Sequence, residues 1–329
     1  MRSLTVRLPI FSLVLSLALS ACGGGGSNAG SSTFIPPAGT GPLLYVTDSG
    51  NAIFEYPQSG NGNISPIASI FGPNTQLTSA GAIARDSTGR IFVANQNENN
   101  ILAFASNITG NASPILNISG ANTQLSLPTG LVFDATNRLI VSNAGSNAVT
   151  IFSAGATGNV APMVTISGAN TLLNSPVGVG LDTGGNIYVS NFSGNSVTVF
   201  ASGATGNVAP IRTIVGAGTG LNSPTSAFVD STGKLFVANS GGNSLTVYAA
   251  GATGNATPIQ TISGVVTNLT VPESAVTDSS GKIYTANFNS PGQPGFIAIF
   301  PAGTTGNVVP VQLIFGTNTG LFGTVGISL

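Results

Sequence analysis

The sequence predicts an all-β chain made of one repeated four-stranded unit and closed into a ring. Three observations carry this. Leucines recur at 77, 125, 173, 221 and 269, each 48 residues after the last, and Leu321 follows after 52. Each interval holds four short runs of β-branched and aromatic residues divided by Gly, Asn, Asp and Ser, the pattern of strands joined by tight turns. The two ends are complementary: the unit from Leu43 to Leu77 lacks an opening strand, and the segment after Leu321 supplies one and stops. Four strands in about 48 residues make a blade of a β-propeller. Five continuous blades and one shared between the ends give a six-bladed β-propeller over 43–329.

The elements follow in order within a unit. In the unit that begins at Asn174, strands a to d fall at 177–182, 186–190, 196–201 and 211–215. Strand b carries Tyr45, Phe92, Ile140, Tyr188, Phe236 and Tyr284; strand c carries Tyr56, Phe104, Phe152, Phe200, Tyr248 and Phe300. Rings at such regular positions are expected to pack blade against blade. The Gly-Ala-Thr-Gly-Asn segments at 155–159, 203–207 and 251–255 lack the Lys and following helix of a phosphate loop. They are expected to be c–d turns in which Gly and Asn supply positive φ. Closure of the first blade by the C-terminal strand removes the open edges of a linear array.

The run Pro176-Val-Gly-Val-Gly-Leu-Asp, Gly185-Asn-Ile-Tyr-Val-Ser-Asn and Gly194-Asn-Ser-Val-Thr-Val-Phe is similar to the repeat of the NHL propellers, over essentially 43–329. The chain departs from that family in having Asn where Asp is common after strand b, and in its Gly-Ala-Thr-Gly-Asn turn. The resemblance implies a fold and only weakly a function.

Upstream of the repeats, Arg2 and Arg7 precede an apolar run from Leu8 to Leu19, shorter than the ~20 residues of a comfortable membrane span. The run ends in Leu19-Ser20-Ala21-Cys22, which resembles the lipobox of bacterial lipoproteins. That resemblance implies a signal peptide over 1–21, cleavage before Cys22 and acylation of Cys22. Segment 22–42 is then a Gly/Ser/Pro-rich tether, flexible and free of packing demands. Gly23 after the Cys is similar to outer-membrane sorting, so the expected address is the bacterial envelope, anchored by lipid.

Composition removes several chemistries. The chain has no His and one Cys, which excludes a Ser-His-Asp triad, His-ligated metals and internal disulfides. Only 5% of residues are charged, against about 25% in ordinary domains, and eight bases cannot neutralise many phosphates. Nucleic acid is therefore not an expected partner.

Two rings of polar residues remain. Asp86, Asp134, Asp182, Asp230 and Asp278 end strand a and are expected to cap their own a–b turns, with Arg90, Arg138, Lys234 and Lys282 reaching back to them. On the opposite face, Asn95, Asn143, Asn191, Asn239 and Asn287 follow strand b, with Asp48 in the sixth place. Asn there can cap the b–c loop or form an amide ring for a polar ligand, and Asn99, Asn147, Asn195 and Asn243 fit left-handed turn positions.

A lactonase-like metal site would need acids at the inner position before the strand-a Gly, which holds Gly81, Thr129, Val177, Thr225, Glu273 and Val325. A single carboxylate is too few for a hard cation, and a lyase-like propeller would need a His. The expectation is a monomeric, non-enzymatic module that binds a protein or glycan without cofactor or metal. The alternative is a hydrolase, lactonase or lyase working at the central mouth. The unit with the 52-residue spacing has a b–c loop, Asn287 to Gly295, four residues longer than its counterparts. Glu273, Phe288 and Phe296 beside that loop are the candidate ligand residues, since insertions in a repeat array often mark the binding face.

Overall fold

The computed structural model describes residues 41–289 and 293–329; Cys22, the signal segment and nearly all of the tether lie outside the described residues. Twenty-four strands form six four-stranded antiparallel sheets. Blade I holds β1 (Leu43–Asp48), β2 (Ala52–Pro57) and β3 (Ala68–Ile70). Blade II holds β4 (Ala80–Arg85), β5 (Ile91–Asn95), β6 (Asn100–Phe104) and β7 (Leu116–Ile118). Blade III holds β8 (Pro128–Phe133), β9 (Leu139–Asn143), β10 (Ala148–Phe152) and β11 (Val164–Ser167). Blade IV holds β12 (Pro176–Leu181), β13 (Ile187–Asn191), β14 (Ser196–Phe200) and β15 (Arg212–Val215). Blade V holds β16 (Phe228–Val229), β17 (Leu235–Asn239), β18 (Ser244–Tyr248) and β19 (Gln260–Ser263). Blade VI holds β20 (Pro272–Thr277), β21 (Ile283–Asn287), β22 (Phe296–Phe300) and β23 (Gln312–Ile314).

The last strand, β24 (Thr324–Ser328), completes blade I as expected. It lies antiparallel to β1, with Tyr45 opposite Ser328 and Val46 opposite Ile327. The first strands of neighbouring blades touch and form the inner ring. Glycine lets them approach: a Cβ on Gly178 would stand 2.5 Å from the Cα of Ser226 on the next blade.

The core is six seams, one between each pair of blades. In the seam between blades II and III, Phe92, Ala94 and Ile101 meet Leu131, Leu139 and Phe152, all buried. The strand-c rings Tyr56, Phe104, Phe152, Phe200, Tyr248 and Phe300 have no exposed surface. These rings therefore hold blades together, as their periodicity predicts. The seam between blades I and II is unusual in burying Glu55 and holding the Arg85 guanidinium 4.4 Å from the Tyr45 ring centroid.

The c–d turns do more than reverse the chain. Each lays the glycine before its Asn against strand d of the preceding blade, in parallel bridges Ile70–Gly110, Ile118–Gly158, Ile166–Gly206, Ile214–Gly254 and Ile262–Gly306. Gly62 closes the circle onto Ile314. The Gly158 N–H donates to Asn117 O at 2.6 Å and the Gly206 N–H to Thr165 O at 2.7 Å. The turn's Asn adds a bond from its side chain: Asn207 Oδ1 accepts the Asn170 N–H at 2.8 Å, and Asn63 accepts the Asn318 N–H across the closure at 2.8 Å. The turn glycines have positive φ as expected, 73° and 71° at Gly155 and Gly158, whereas the Asn after them does not. That Asn is needed as an acceptor, which corrects the expected role.

Blade V departs from the expected full strand a. Its ladder shrinks to Phe228–Val229, and the Ala238 N–H donates to the Ser226 Oγ at 3.0 Å instead of entering the ladder. Among the described residues no helix is long and apolar enough to cross a membrane.

Two outcomes check this account. Deleting 324–329 strips β1 of one of its two partners, and the melting temperature should fall steeply with aggregation on size exclusion. Gly168 sits at φ 116° with its missing Cβ 2.5 Å from Asn207 Oδ1, so Gly168→Ala should cost about 2 kcal/mol in denaturant unfolding.

Candidate functional site

The loop face carries the b–c and d–a connections, and its asparagines are set by the end of strand b. Asn95, Asn143, Asn191, Asn239 and Asn287 have no exposed surface, so they lie beneath the face. In four blades the amide oxygen accepts a backbone N–H of the d–a loop. Asn95 takes Thr78 and Ser79 at 2.9 Å each, Asn143 takes Ser126 at 3.1 Å, Asn191 takes Asn174 at 3.0 Å and Asn239 takes Asn222 at 3.2 Å. In blades III to V the amide nitrogen is held by a strand-c hydroxyl, for instance Asn143 to Thr150 at 3.0 Å. The loop they tie down is d–a, which corrects the expected b–c cap. The amides spend their bonds on the fold.

A second set joins neighbouring blades, a role the sequence did not signal. Asn99, Asn147, Asn195 and Asn243 are left-handed, at φ 44° to 51°. Their oxygens accept the N–H of Leu127, Ser175, Ser223 and Val271 on the next blade at 2.6–2.8 Å.

Asp48 takes the clasp position in the closing blade. Its carboxylate accepts the N–H groups of Phe322 and Gly323 at 2.9 Å and of Gly50 at 2.8 Å. Burial nevertheless dominates and pushes this carboxyl up to about 6. Burial likewise pushes Glu55 up to about 7, against the pull of Arg85.

Blade VI breaks the pattern. Ala298 stands where blades III to V have the strand-c threonine, and the Asn287 amide nitrogen turns to Thr285 at 3.0 Å. The buried Asn287 Oδ1 is left without a partner, so no amide clasp holds the loop at Thr270. A cavity of about 330 Å³ opens there. Asn268 and Thr270 of the d–a loop and Asn289 and Pro294 of the long loop form part of its wall, with Phe296 from β22, Leu313 from β23 and Phe315 just after it. Phe296 is mainly a core residue, 9% exposed. Phe288 packs instead toward the closing blade: a Cβ on Gly323 would meet its ring at 2.5 Å. Glu273, on β20 of the inner ring, is partly exposed, and loss of water around it pushes its carboxyl up to about 7. Glu273 and the cavity therefore belong to one blade, at its inner and outer parts.

The opposite face carries the charged turns. Asp86, Asp134, Asp182, Asp230 and Asp278 each accept turn N–H groups, as with Asp182 from Gly184 and Asn186, both at 2.9 Å. Partial burial raises the Asp86, Asp134, Asp182 and Asp278 carboxyls, but these bonds outweigh it and hold them below the ordinary value. Arg90 and Arg138 reach back as expected, at 2.6 Å. The two lysines behave differently: Lys282 Nζ donates to Gln312 at 3.3 Å, and Lys234 meets Asp230 through its backbone N–H.

Comparison with known proteins adds an architecture. No family model and no curated protein matches the chain. A protein of unknown function from Bacteroides caccae superposes with a TM-score of 0.64 at 12% identity, over 87% of this chain and 98% of its own. An inactive histidine-to-alanine variant of virginiamycin B lyase from Staphylococcus aureus, with quinupristin, gives 0.54 at 13% identity over 84% and 87%. A Bacteroides uniformis protein provisionally named a 6-phosphogluconolactonase gives 0.57 at 13% identity over 89% and 86%. The likeness is one of fold. The histidine whose loss inactivates the lyase has no equivalent here, because this chain contains none.

Three acids with raised pKa values set a pH profile. Asp48, Glu55 and Glu273 ionise later in the folded chain than in the unfolded one, so the native state binds more protons between about pH 4 and 7. Stability should therefore decline as pH rises through that window. The four lowered aspartates act oppositely, their contribution being lost as pH falls below the ordinary aspartate value. Asp48→Asn should flatten the decline between about pH 4 and 6, and Glu273→Gln the part nearer 7, in denaturant midpoints taken across the range.

Proposed function

We propose that the chain is a lipid-anchored bacterial envelope protein of NHL-like type whose loop face binds a ligand without chemistry. The observation that carries this reading is the concentration of departures from the repeat in blade VI. That blade alone combines the long loop, an orphaned clasp amide, Glu273 and an open cavity. Nine charged residues at the a–b turns crowd the other face, leaving this one poor in charge. The anchor rests on Leu19-Ser20-Ala21-Cys22 and the Gly run behind it. The enzymatic alternative at the central mouth has the fold of the lyase in its favour, but lacks histidine and has Glu273 as the one acid at the inner position.

In cells fed a fatty-acid analogue, wild type should carry the label and sediment with membranes, and Cys22→Ser should do neither. Label on the serine variant would refute the anchor. Trimming 289–292 should abolish saturable binding of the full chain to solubilised envelope material while the melting temperature stays nearly constant. A stoichiometric divalent ion in the purified protein would favour the enzymatic alternative.

A further inference from the structure

We infer that the blade VI cavity is a subsite for a neutral saccharide, an inference that rests on the binding role proposed above and names its ligand class. Four observations converge. First, the volume of about 330 Å³ falls within the ~300–1,000 Å³ of small-ligand pockets. Second, none of its lining residues is ionisable, which leaves nothing to pair with a phosphate, carboxylate or ammonium group. Third, the wall divides into two chemistries. Phe296, Phe315 and Pro294 offer apolar surface, while Asn268 and Thr270 offer an amide and a hydroxyl; the Asn289 amide is engaged within its own loop, donating to Pro294 O at 3.3 Å. A sugar ring has the same two sides: a face of C–H bonds that lies against an aromatic ring, and an edge of hydroxyls that both donate and accept. An apolar side chain from a protein would fill the volume but leave the Asn268 amide and the Thr270 hydroxyl without partners, which costs binding energy.

Fourth, the cavity lies where the repeat fails. In blades II to V the clasp amide holds the loop that here carries Thr270. In blade VI that clasp is open and Asn287 Oδ1 is buried and unpartnered one strand away, opposite Phe296 in the ladder. The surrounding surface is changed as well. Val265 and Val266 replace the small or polar pairs Ala121-Asn122, Ala169-Asn170 and Ala217-Gly218, and Phe315 is 49% exposed. Phe322 stands where other blades have Thr, Ser or Asn, and its carbonyl accepts the Gly295 N–H at 3.1 Å, which brings it beside the long loop. A longer glycan would thus run from the cavity over apolar surface.

The test uses the full chain in a non-glycosidic detergent, titrated by calorimetry and saturation-transfer NMR. The probes are cellotriose, maltotriose and chitotriose, with trigalacturonic acid as the charged control and a Phe-Leu tripeptide amide as the apolar one. At least one neutral trisaccharide should bind, with the charged sugar weaker by tenfold or more. Phe315→Ala and Thr270→Ala, both in the cavity wall, should each weaken it at least tenfold with an unchanged melting temperature. Absence of binding by every neutral sugar, or binding that both variants retain, overturns the inference. Tripeptide binding that Phe315→Ala abolishes, with no sugar bound, also overturns it while leaving the binding role standing. Loss of envelope binding in the loop-trimmed chain, tested separately, decides that role.

Discussion

The ring stands on a contact made at its outer edge. Strand d of every blade would be an open edge, a row of unpaired N–H and C=O groups available to any passing strand. Here the c–d turn of the next blade lies across it, with a glycine exchanging backbone bonds and an asparagine fixing the 3-10 turn beyond. Apolar seams give the blades their affinity for one another, but they are non-directional and would tolerate sliding. The turn bonds set the angular position of each blade, because a donor and acceptor must meet at about 2.7 Å. The inner ring sets the radius, since glycine at positions such as Gly178 lets adjacent backbones come close.

Much of this was legible in the sequence, and the reason is repetition. A spacing of 48 residues, a missing first strand and a spare last one leave little choice of topology. Burial of the strand-c rings followed from their period alone. The partners of the asparagines did not. An amide at a repeated position is equally consistent with capping its own loop, clasping another or lining a surface, and only distance separates these. Asn95 and Asn99 are four residues apart, yet one ties down its own blade and the other the next. The short strand of blade V was hidden for a similar reason, because the Ser226 hydroxyl competes with the backbone for a donor. The candidate ligand residues divide likewise. The loop length marked blade VI as irregular in sequence, while the cavity-lining Thr270, Asn268 and Phe315 had no signal of their own, being members of ordinary repeat positions.

Blade VI shows how a repeat array acquires an individual feature at small cost. One alanine, Ala298, replaces the threonine that orients the clasp amide in blades III to V, and four extra residues lengthen the neighbouring loop. The neighbouring blades are unaffected, because Asn243 still holds Val271 and the Asn307 amide still holds Val266. Stability that depends mainly on nearest-neighbour contacts lets one unit diverge while the others keep the ring intact.

The closure of blade I has a consequence in time. β24 lies beside β1 although nearly the whole chain separates them, and Tyr56 reaches across to Thr319 O at 2.5 Å while Asn63 reaches Asn318. Blades II to VI can each assemble from contiguous sequence as the polypeptide emerges. Blade I cannot, since the strand it needs is made after all the other blades. Until then β1 waits as a half-built sheet at one end of an open arc. Completion of the ring thus waits on the last repeat, and a chain cut short within the propeller is left with an unpaired, sticky edge on β1.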